Sequence, residues 1–590
     1  MKKLLLAALF LAGVSNPFPA LAQAPAQPHN IIIFVADGLR YGSVTADNTP
    51  NLWKLKTQGV DFTNSHSLFP TVTTVNASAI ATGHYIGDTG NFGNSIWAGS
   101  PMLNGSPMAG LENNLTLAEM NDRFGGNYLN ETSLIAAARA KGWQTAIAGK
   151  LGPARIQDLT ANRNGTDTLI LDDSAGSETG FGQPAWFTAQ LRANFVEAAV
   201  PATSMPNIAQ QVNQMKAVTR IVLPHFAEGG KPFALLYWSR DPDITQHGAR
   251  DSVGEYDPGI NGPSALAGVR DADTMLGLLL QALKEQGLDK TTDVFVTADH
   301  GFLTIAHSSA TSPSARVANP GAIADLSGGF LSADLSIALG LRLSDPGRQF
   351  APVDVSNGRF GGGSGILGPD PQHPDAVVAG NGGADLVYLP KENAKELAGR
   401  IVEFLSGQDY VSGIFVNDRL GRIAGTLPMS ELNLIGAART PVPDIYVNFR
   451  TFAGTCENPL QCEIGIHDTG LLTGQGSHGS LSRGETRNFM AAIGPDFKAG
   501  FADPAPISNA DIAPTLAHIG GIDLGSKGKL TGRVIGEALT GGAPVTVTRR
   551  TVTSDPGPGG VRTILNEQIV GQNRYFDAAG FAGKTVGLVP

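Results

Sequence analysis

The 590-residue sequence predicts an α/β fold built on a largely parallel central sheet, with helices on both faces and loop insertions. Three apolar runs carry this prediction, each followed directly or within a few residues by acids. Ile31-Ile32-Ile33-Phe34-Val35-Ala36 runs into Asp37, residues 233–237 precede Asp241 and Asp243, and residues 294–297 precede Asp299-His300. An unbroken apolar run, rather than an alternating one, is what a strand buried on both faces of a parallel sheet requires. Helical stretches lie between these runs, and strand-helix alternation means α/β.

Taken in order, Lys2 and Lys3 precede an apolar run from Leu4 to Val14, and Ala20-Leu21-Ala22 supplies small residues for cleavage before Gln23. This predicts a secretory signal peptide over residues 1–22, because the run is shorter than the roughly 20 residues of a spanning helix. No later segment is apolar for long enough to span, so the mature chain is expected to be soluble and periplasmic or secreted. Thr49-Pro50 opens a helix with proline in its first turn, residues 133–141 are alanine-rich, and 264–285 places Leu266, Val269, Met275, Leu278, Leu279 and Leu283 on related faces. Residues 304–380 turn rich in Gly, Ser, Ala and Pro and read as an insertion. Its Gly361-Gly362-Gly363-Ser364-Gly365 lacks the Gly-Lys-Ser/Thr ending of a phosphate loop and reads as flexible loop. The rhythm resumes with the strand 384–389, a helix over 391–406 and strands near Ile414 and Ile445. The expected organisation is therefore one catalytic domain over 23–540, followed by a β-rich extension over 541–590.

A net charge of −10 without any Lys/Arg-rich block argues against nucleic-acid polymers and anionic membranes as partners. An anionic substrate would have to be attracted locally, as by bound cations. The two cysteines, Cys456 and Cys462, stand close together and read as a short-loop disulfide in an oxidising compartment. Metal binding by the pair has only His467 nearby and no second cysteine pair to complete a structural zinc site.

Seven residues from distant parts of the chain, Asp37, Thr73, Asp243, His247, Asp299, His300 and His478, read as a two-metal ligand set delivered to one sheet edge. Phosphate esters resist anionic nucleophiles, and paired cations overcome that repulsion; zinc suits mixed Asp/His ligands. Each motif is weak alone, and their shared placement after apolar strands is what carries the reading. Thr73 enters a small-residue helix, where a threonine is ordinarily an N-cap. A helix start also offers free N–H groups and a positive dipole end to a phosphate attacked by a hydroxyl.

In order along the chain, Asp37-Gly38, Thr49-Pro50-Asn51-Leu52, Phe69-Pro70-Thr71-Val72-Thr73 with Asn76, Thr82-Gly83, Asn94, Asp243 with His247, Thr297-Ala298-Asp299-His300-Gly301, Gly476-Ser477-His478-Gly479 and Asp511-Ile512-Ala513-Pro514-Thr515-Leu516 resemble the alkaline phosphatase superfamily. Within it the resemblance is to the nucleotide pyrophosphatase/phosphodiesterase (type I phosphodiesterase) branch, over residues 29 to 520. It implies an alkaline-phosphatase-like three-layer sandwich and two Zn2+ ions. One zinc would be held by Asp243, His247 and His478, the other by Asp37, Asp299, His300 and the oxygen of Thr73. It further implies Thr73 as nucleophile, a phosphothreonine intermediate, and Asn94 as amide donor to a phosphoryl oxygen.

The implied activity is that of an exported two-zinc phosphodiesterase or nucleotide pyrophosphatase acting on a small phosphate ester. An alkaline phosphomonoesterase is the alternative. The branch usually has an aromatic after its nucleophile, where this chain has Thr74; Trp238 or Trp97 is the candidate stacking face instead. Monoesterases need a further cation, for which Lys150 and Arg155 stand as candidates beside their reading as solvated surface charges. A sulfatase ranks low because no Cys/Ser-x-Pro-x-Arg stretch is present. A non-catalytic metal-bound binding protein ranks low because every ligand and a hydroxyl are present.

Overall fold

Four strands set the frame of the computed structural model, which describes residues 29–590 except 319, 322, 358, 359 and 361. They are β1 (Asn30–Ala36), β2 (Gln144–Gly149), β3 (Phe233–Ser239) and β4 (Thr292–Thr297). The signal peptide expected over 1–22 lies outside the described residues. An eight-stranded sheet runs Phe501–Asp503, Val60–Phe62, Met490–Ile493, β4, β1, β3, β2, Leu169–Asp172. From β4 to Leu169–Asp172 every pairing is parallel, and Met490–Ile493 runs antiparallel to both of its neighbours. The α/β expectation and the largely parallel sheet are what the structure has.

Three helices matter to the site: α1 (Thr73–Thr82), α2 (Asp243–His247) and α3 (Pro263–Glu285). Successive β1 side chains point to opposite faces. Ile31, Ile33 and Val35 pack into a core with α1 and the helices Leu134–Ala140 and Ile512–Gly520. Ile32, Phe34 and Ala36 pack on the other face against α3 and the helix Ile208–Ala217. Both faces are covered, which is why the sequence of β1 shows no alternation. Helix α3 begins with Pro263, whose missing N–H costs nothing in a first turn, and buries Val269, Met275, Leu276, Leu279 and Leu283. Leu278, expected with them, is instead exposed, because it lies off the stripe that faces the sheet.

The region from 343 to 449 departs from the expected insertion followed by a return to the same sheet. It forms a second eight-stranded sheet, in the order Ala351–Pro352, Leu343–Asp345, Gly365–Leu367, Ala376–Ala379, Ala384–Tyr388, Ile445–Phe449, Val411–Val416, Leu427–Pro428. Its pairings are antiparallel apart from the last. An apolar run such as 384–388 looks the same whichever sheet covers it on both faces, so periodicity could not separate the two. One face packs on the helices Phe330–Leu339 and Ala394–Ser406. The other reaches the first core, where Phe69 meets Phe415 at 5.8 Å and Tyr446 at 5.6 Å between ring centroids. The second sheet thus braces the loop that enters α1.

The C-terminal extension is a three-stranded antiparallel sheet of Thr548–Thr553, Ile564–Val570 and Asn573–Gly580. Cys456 and Cys462 form a disulfide. Among the described residues, no helix is long and apolar enough to cross a membrane.

Phe34 is fully buried and stacks on Tyr237 at 5.4 Å. Phe34→Ala should therefore lower unfolding free energy by about 3–5 kcal/mol, read from denaturant titration.

Candidate active site

Strand register assembles the site. Ala36 lies opposite Ser239, Val35 opposite Thr297, and Gly149 opposite Trp238, so the residues just beyond these strands emerge at one edge. Asp37 follows β1, Lys150 follows β2, Asp243 opens α2 shortly after β3, and Asp299-His300 follow β4 at one residue's remove. The chain turns away from β1 at Gly38, with φ +68°, where an added Cβ would lie 2.9 Å from Phe302 Cδ2. That close turn lets Gly38 N–H donate to Asp299 Oδ1 at 2.9 Å, while Asp243 N–H donates to the Asp37 carbonyl at 2.9 Å. His478 does not come from the central sheet. It follows the short strand Gly476–Ser477, part of a separate four-stranded sheet with Thr451–Ala453, Glu463–Ile466 and Leu303–Ala306.

The three histidines are oriented alike. Nδ1 of His247, His300 and His478 lies 2.8 Å from the carbonyl oxygens of Gly476, Gly301 and Thr71 respectively. A carbonyl can only accept, so Nδ1 carries the proton and Nε2 offers its lone pair to the site. Burial pulls His300 and His478 down to about 4, which keeps both rings neutral at neutral pH. For His247, burial acts downward, but the Asp243 carboxylate outweighs it and leaves the ring above its usual range.

His300 Nε2 lies 3.2 Å from Asp299 Oδ2 and 3.6 Å from Asp37 Oδ1. Asp243 Oδ1 lies 3.2 Å from His247 Nε2 and 3.5 Å from His478 Nε2. Asp37 Oδ1, Asp243 Oδ1 and Asp299 Oδ2 are buried and accept no hydrogen bond among the described residues. Burial, with Asp299 nearby, pushes Asp37 well above the carboxylate range, and burial pushes Asp299 up to about 7. Asp243 goes the other way, because Lys150 and His247 outweigh its burial.

Orphaned carboxylate oxygens facing imidazole lone pairs are a donor set suited to divalent cations. Two close groups exist, Asp37/Asp299/His300 and Asp243/His300/His478, each with ligand atoms within 4.8 Å of one another. His247 joins the second through Asp243. The buried group His84/Asp88/Glu131 is different in kind. Its carboxylates accept the amides of Ala437, Leu530, Lys527 and Gly528, so it staples loops together.

Thr73 is the first residue of α1, and the capping position falls to Val72, which has no side-chain cap. The Thr73 hydroxyl is thus left to the site, with Oγ1 3.4 Å from His300 Nε2 and 3.3 Å from Lys150 Nζ. Asn94 Oδ1 accepts the Thr74 amide at 2.9 Å, an assignment that leaves its NH2 as the donor beside the helix start.

Lys150 is buried rather than solvated. Its Nζ lies 2.9 Å from Asp37 Oδ2, 3.0 Å from Glu112 Oε1 and 3.3 Å from Asp243 Oδ2. Arg155 is buried as well, with its guanidinium 4.8 Å from the Phe181 ring, so the solvated reading fails for both cations. Trp238, expected as a stacking face, is fully buried in β3 and presents no ring to a ligand. Its indole N–H donates to Asp37 Oδ2 at 2.7 Å instead, because Trp238, the penultimate residue of β3, lies on the sheet face that packs with α1. Trp97 is half-buried and packs on Tyr388 at 5.6 Å.

Sequence reasoning missed three supporting residues. Glu485 accepts from Thr71 Oγ1 at 2.7 Å, Ser480 N at 2.8 Å and the Gly479 amide, tying the Thr73 loop to the His478 loop. Asn509 donates to Asp299 O at 2.7 Å and Asn76 Oδ1 at 3.0 Å. Glu112 pairs with Lys150. Each lies outside any periodic or closely spaced motif; Glu485 is marked only by following Gly476-Ser477-His478-Gly479, and Asn509 only by preceding Asp511.

Trp238→Phe keeps an aromatic ring, though a smaller one, but removes the hydrogen bond to Asp37. It should weaken divalent-metal affinity by about tenfold or more, measured by competition with a chromogenic chelator, with circular dichroism unchanged.

Residues 31–319 match the family model for type I phosphodiesterase / nucleotide pyrophosphatase, a stretch that includes Asp37, Thr73, Asp243, His247, Asp299 and His300. No curated protein matches the chain. Among solved structures, murine ectonucleotide pyrophosphatase / phosphodiesterase 5, an inactive variant in complex with AMP, is similar with a TM-score of 0.49 and 13% identity. That match covers 87% of this chain and 100% of the murine one. Residues 31–319, which carry six of the seven candidate ligands, are thus similar to the type I phosphodiesterase / nucleotide pyrophosphatase family.

Proposed function

We propose that this chain, a hydrolase of phosphoric ester bonds by family, is an exported two-zinc phosphodiesterase or nucleotide pyrophosphatase that works through a phosphothreonine. The observation that carries the reading is the meeting of the Thr73 hydroxyl, the Lys150 ammonium, three imidazole lone pairs and three orphaned carboxylate oxygens at one sheet edge. Asp243, His247 and His478 would hold one cation, and Asp37, Asp299 and His300 with Thr73 the other. Bound there, the pair would supply Lewis-acid charge against the phosphoryl and leaving oxygens.

Thr73 Oγ1 attacks phosphorus as the bond to the leaving oxygen breaks, giving a phosphothreonine and the released alcohol or nucleotide fragment. Lys150, 3.3 Å from Oγ1, favours the deprotonated hydroxyl. The Asn94 amide, whose oxygen accepts the Thr74 N–H, would donate to a non-bridging oxygen. Water then cleaves the phosphothreonine, restoring the Thr73 hydroxyl, and the two inversions leave net retention. The disulfide suits an oxidising compartment, which supports export. Lys150 beside Thr73 also favours the second reading, an alkaline phosphomonoesterase, by offering charge to a third phosphoryl oxygen.

Release of nitrophenol from bis(p-nitrophenyl) phosphate and from p-nitrophenyl phosphate, with zinc and with chelator, tests both readings. Zinc-dependent turnover with the diester preferred is the expected result; turnover of neither would refute the enzyme. Thr73→Ala should lower kcat by about 10³-fold or more while zinc content by elemental analysis stays at the wild-type level. His478→Ala should instead lower the zinc content, and two full equivalents in that variant would contradict the ligand role.

A further inference from the structure

The hairpin of Ser95–Trp97 and Met108–Gly110 closes at its open end with the Leu111 amide donating to the Asn94 carbonyl at 2.8 Å. The two residues that leave this end toward the site are Asn94 and Glu112. Asn94 stands over the α1 start, and Glu112 Oε1 reaches Lys150 Nζ at 3.0 Å with its side chain 40% exposed. Backbone packing holds that arrangement. Gly152, at φ +90°, approaches so closely that an added Cβ would lie 2.5 Å from Glu112 Cα. One hairpin therefore carries both a donor and an acid at the mouth of the site.

We infer that Glu112 is a specificity-determining positioning residue, holding and neutralising Lys150 so that the site favours monoanionic diesters over dianionic monoesters. This rests on the phosphoesterase reading above. A diester carries one charge shared by two non-bridging oxygens. A monoester near neutral pH carries close to two, because its second pKa is about 6. Of the three acids around Lys150, Asp37 and Asp243 belong to the proposed ligand set, so Glu112 is the one left to offset the ammonium. Without it Lys150 would meet the extra charge; with it a carboxylate stands toward the third oxygen, which costs the monoester binding and leaves the diester little affected. The lysine alone would suggest a monoesterase, and its partner reverses that expectation.

The experiment compares kcat/KM for p-nitrophenyl phosphate and bis(p-nitrophenyl) phosphate in the zinc-loaded enzyme. Glu112→Gln should raise the monoester-to-diester ratio by about tenfold, mainly through KM for the monoester. Glu112→Asp should keep the ratio near wild type, and adding Glu112→Gln to Lys150→Met should leave the ratio of that variant unchanged. Calorimetry with inorganic phosphate in the Thr73→Ala background gives a readout free of turnover, where Glu112→Gln should tighten Kd by about tenfold. A ratio and a phosphate Kd that both move by less than about twofold would overturn the role of Glu112 while leaving the phosphoesterase standing. Wild-type enzyme that hydrolyses neither ester would overturn both.

Discussion

In-register parallel pairing of β1 with β3 and β4 is the constraint on which the site depends. With Ala36 opposite Ser239 and Val35 opposite Thr297, the carboxyl ends of these strands stop at nearly one level. Whatever follows them is then forced into a common crevice, whatever the separation in sequence. Asp37 and Asp299, 262 positions apart by number, are joined there through the Gly38 amide. A slip of one residue would send every side chain of the strand to the opposite face and carry Asp37 away from that crevice.

The crevice gathers groups that repel one another or lose solvation when buried. Asp37 and Asp299 both have carboxyls pushed up by burial, and Asp243 stays ionised through Lys150 and His247. Such a cluster is held together only if its backbone is held from outside. The second sheet presses Phe415 and Tyr446 against Phe69 at the entrance to α1. Glu485 bonds the Thr71 and His478 loops to each other, and Asn509 bonds Asp299 to Asn76. Three backbone carbonyls set the histidine tautomers. The chemistry-bearing residues are therefore few, and the residues that aim them come from almost the whole chain.

What the sequence by itself determined is whatever local periodicity and residue type encode: the apolar strands ending in Asp37, Asp243 and Asp299, the helix α3, and the donor types of the candidate ligands. Apolar runs bounded by acids leave few alternatives for a chain that must cover both faces of a strand. Tertiary structure alone decided the rest. The strand 384–388 joined a second sheet, since strand-forming patterns do not name their partners. Trp238 turned inward to Asp37, and Lys150 became buried between acids, because both depend on which strands flank β3 and β2. Glu112 and Glu485 acquired partners 38 and 414 positions away by number, in Lys150 and Thr71, and contacts at such separations exist only once the chain has closed over them.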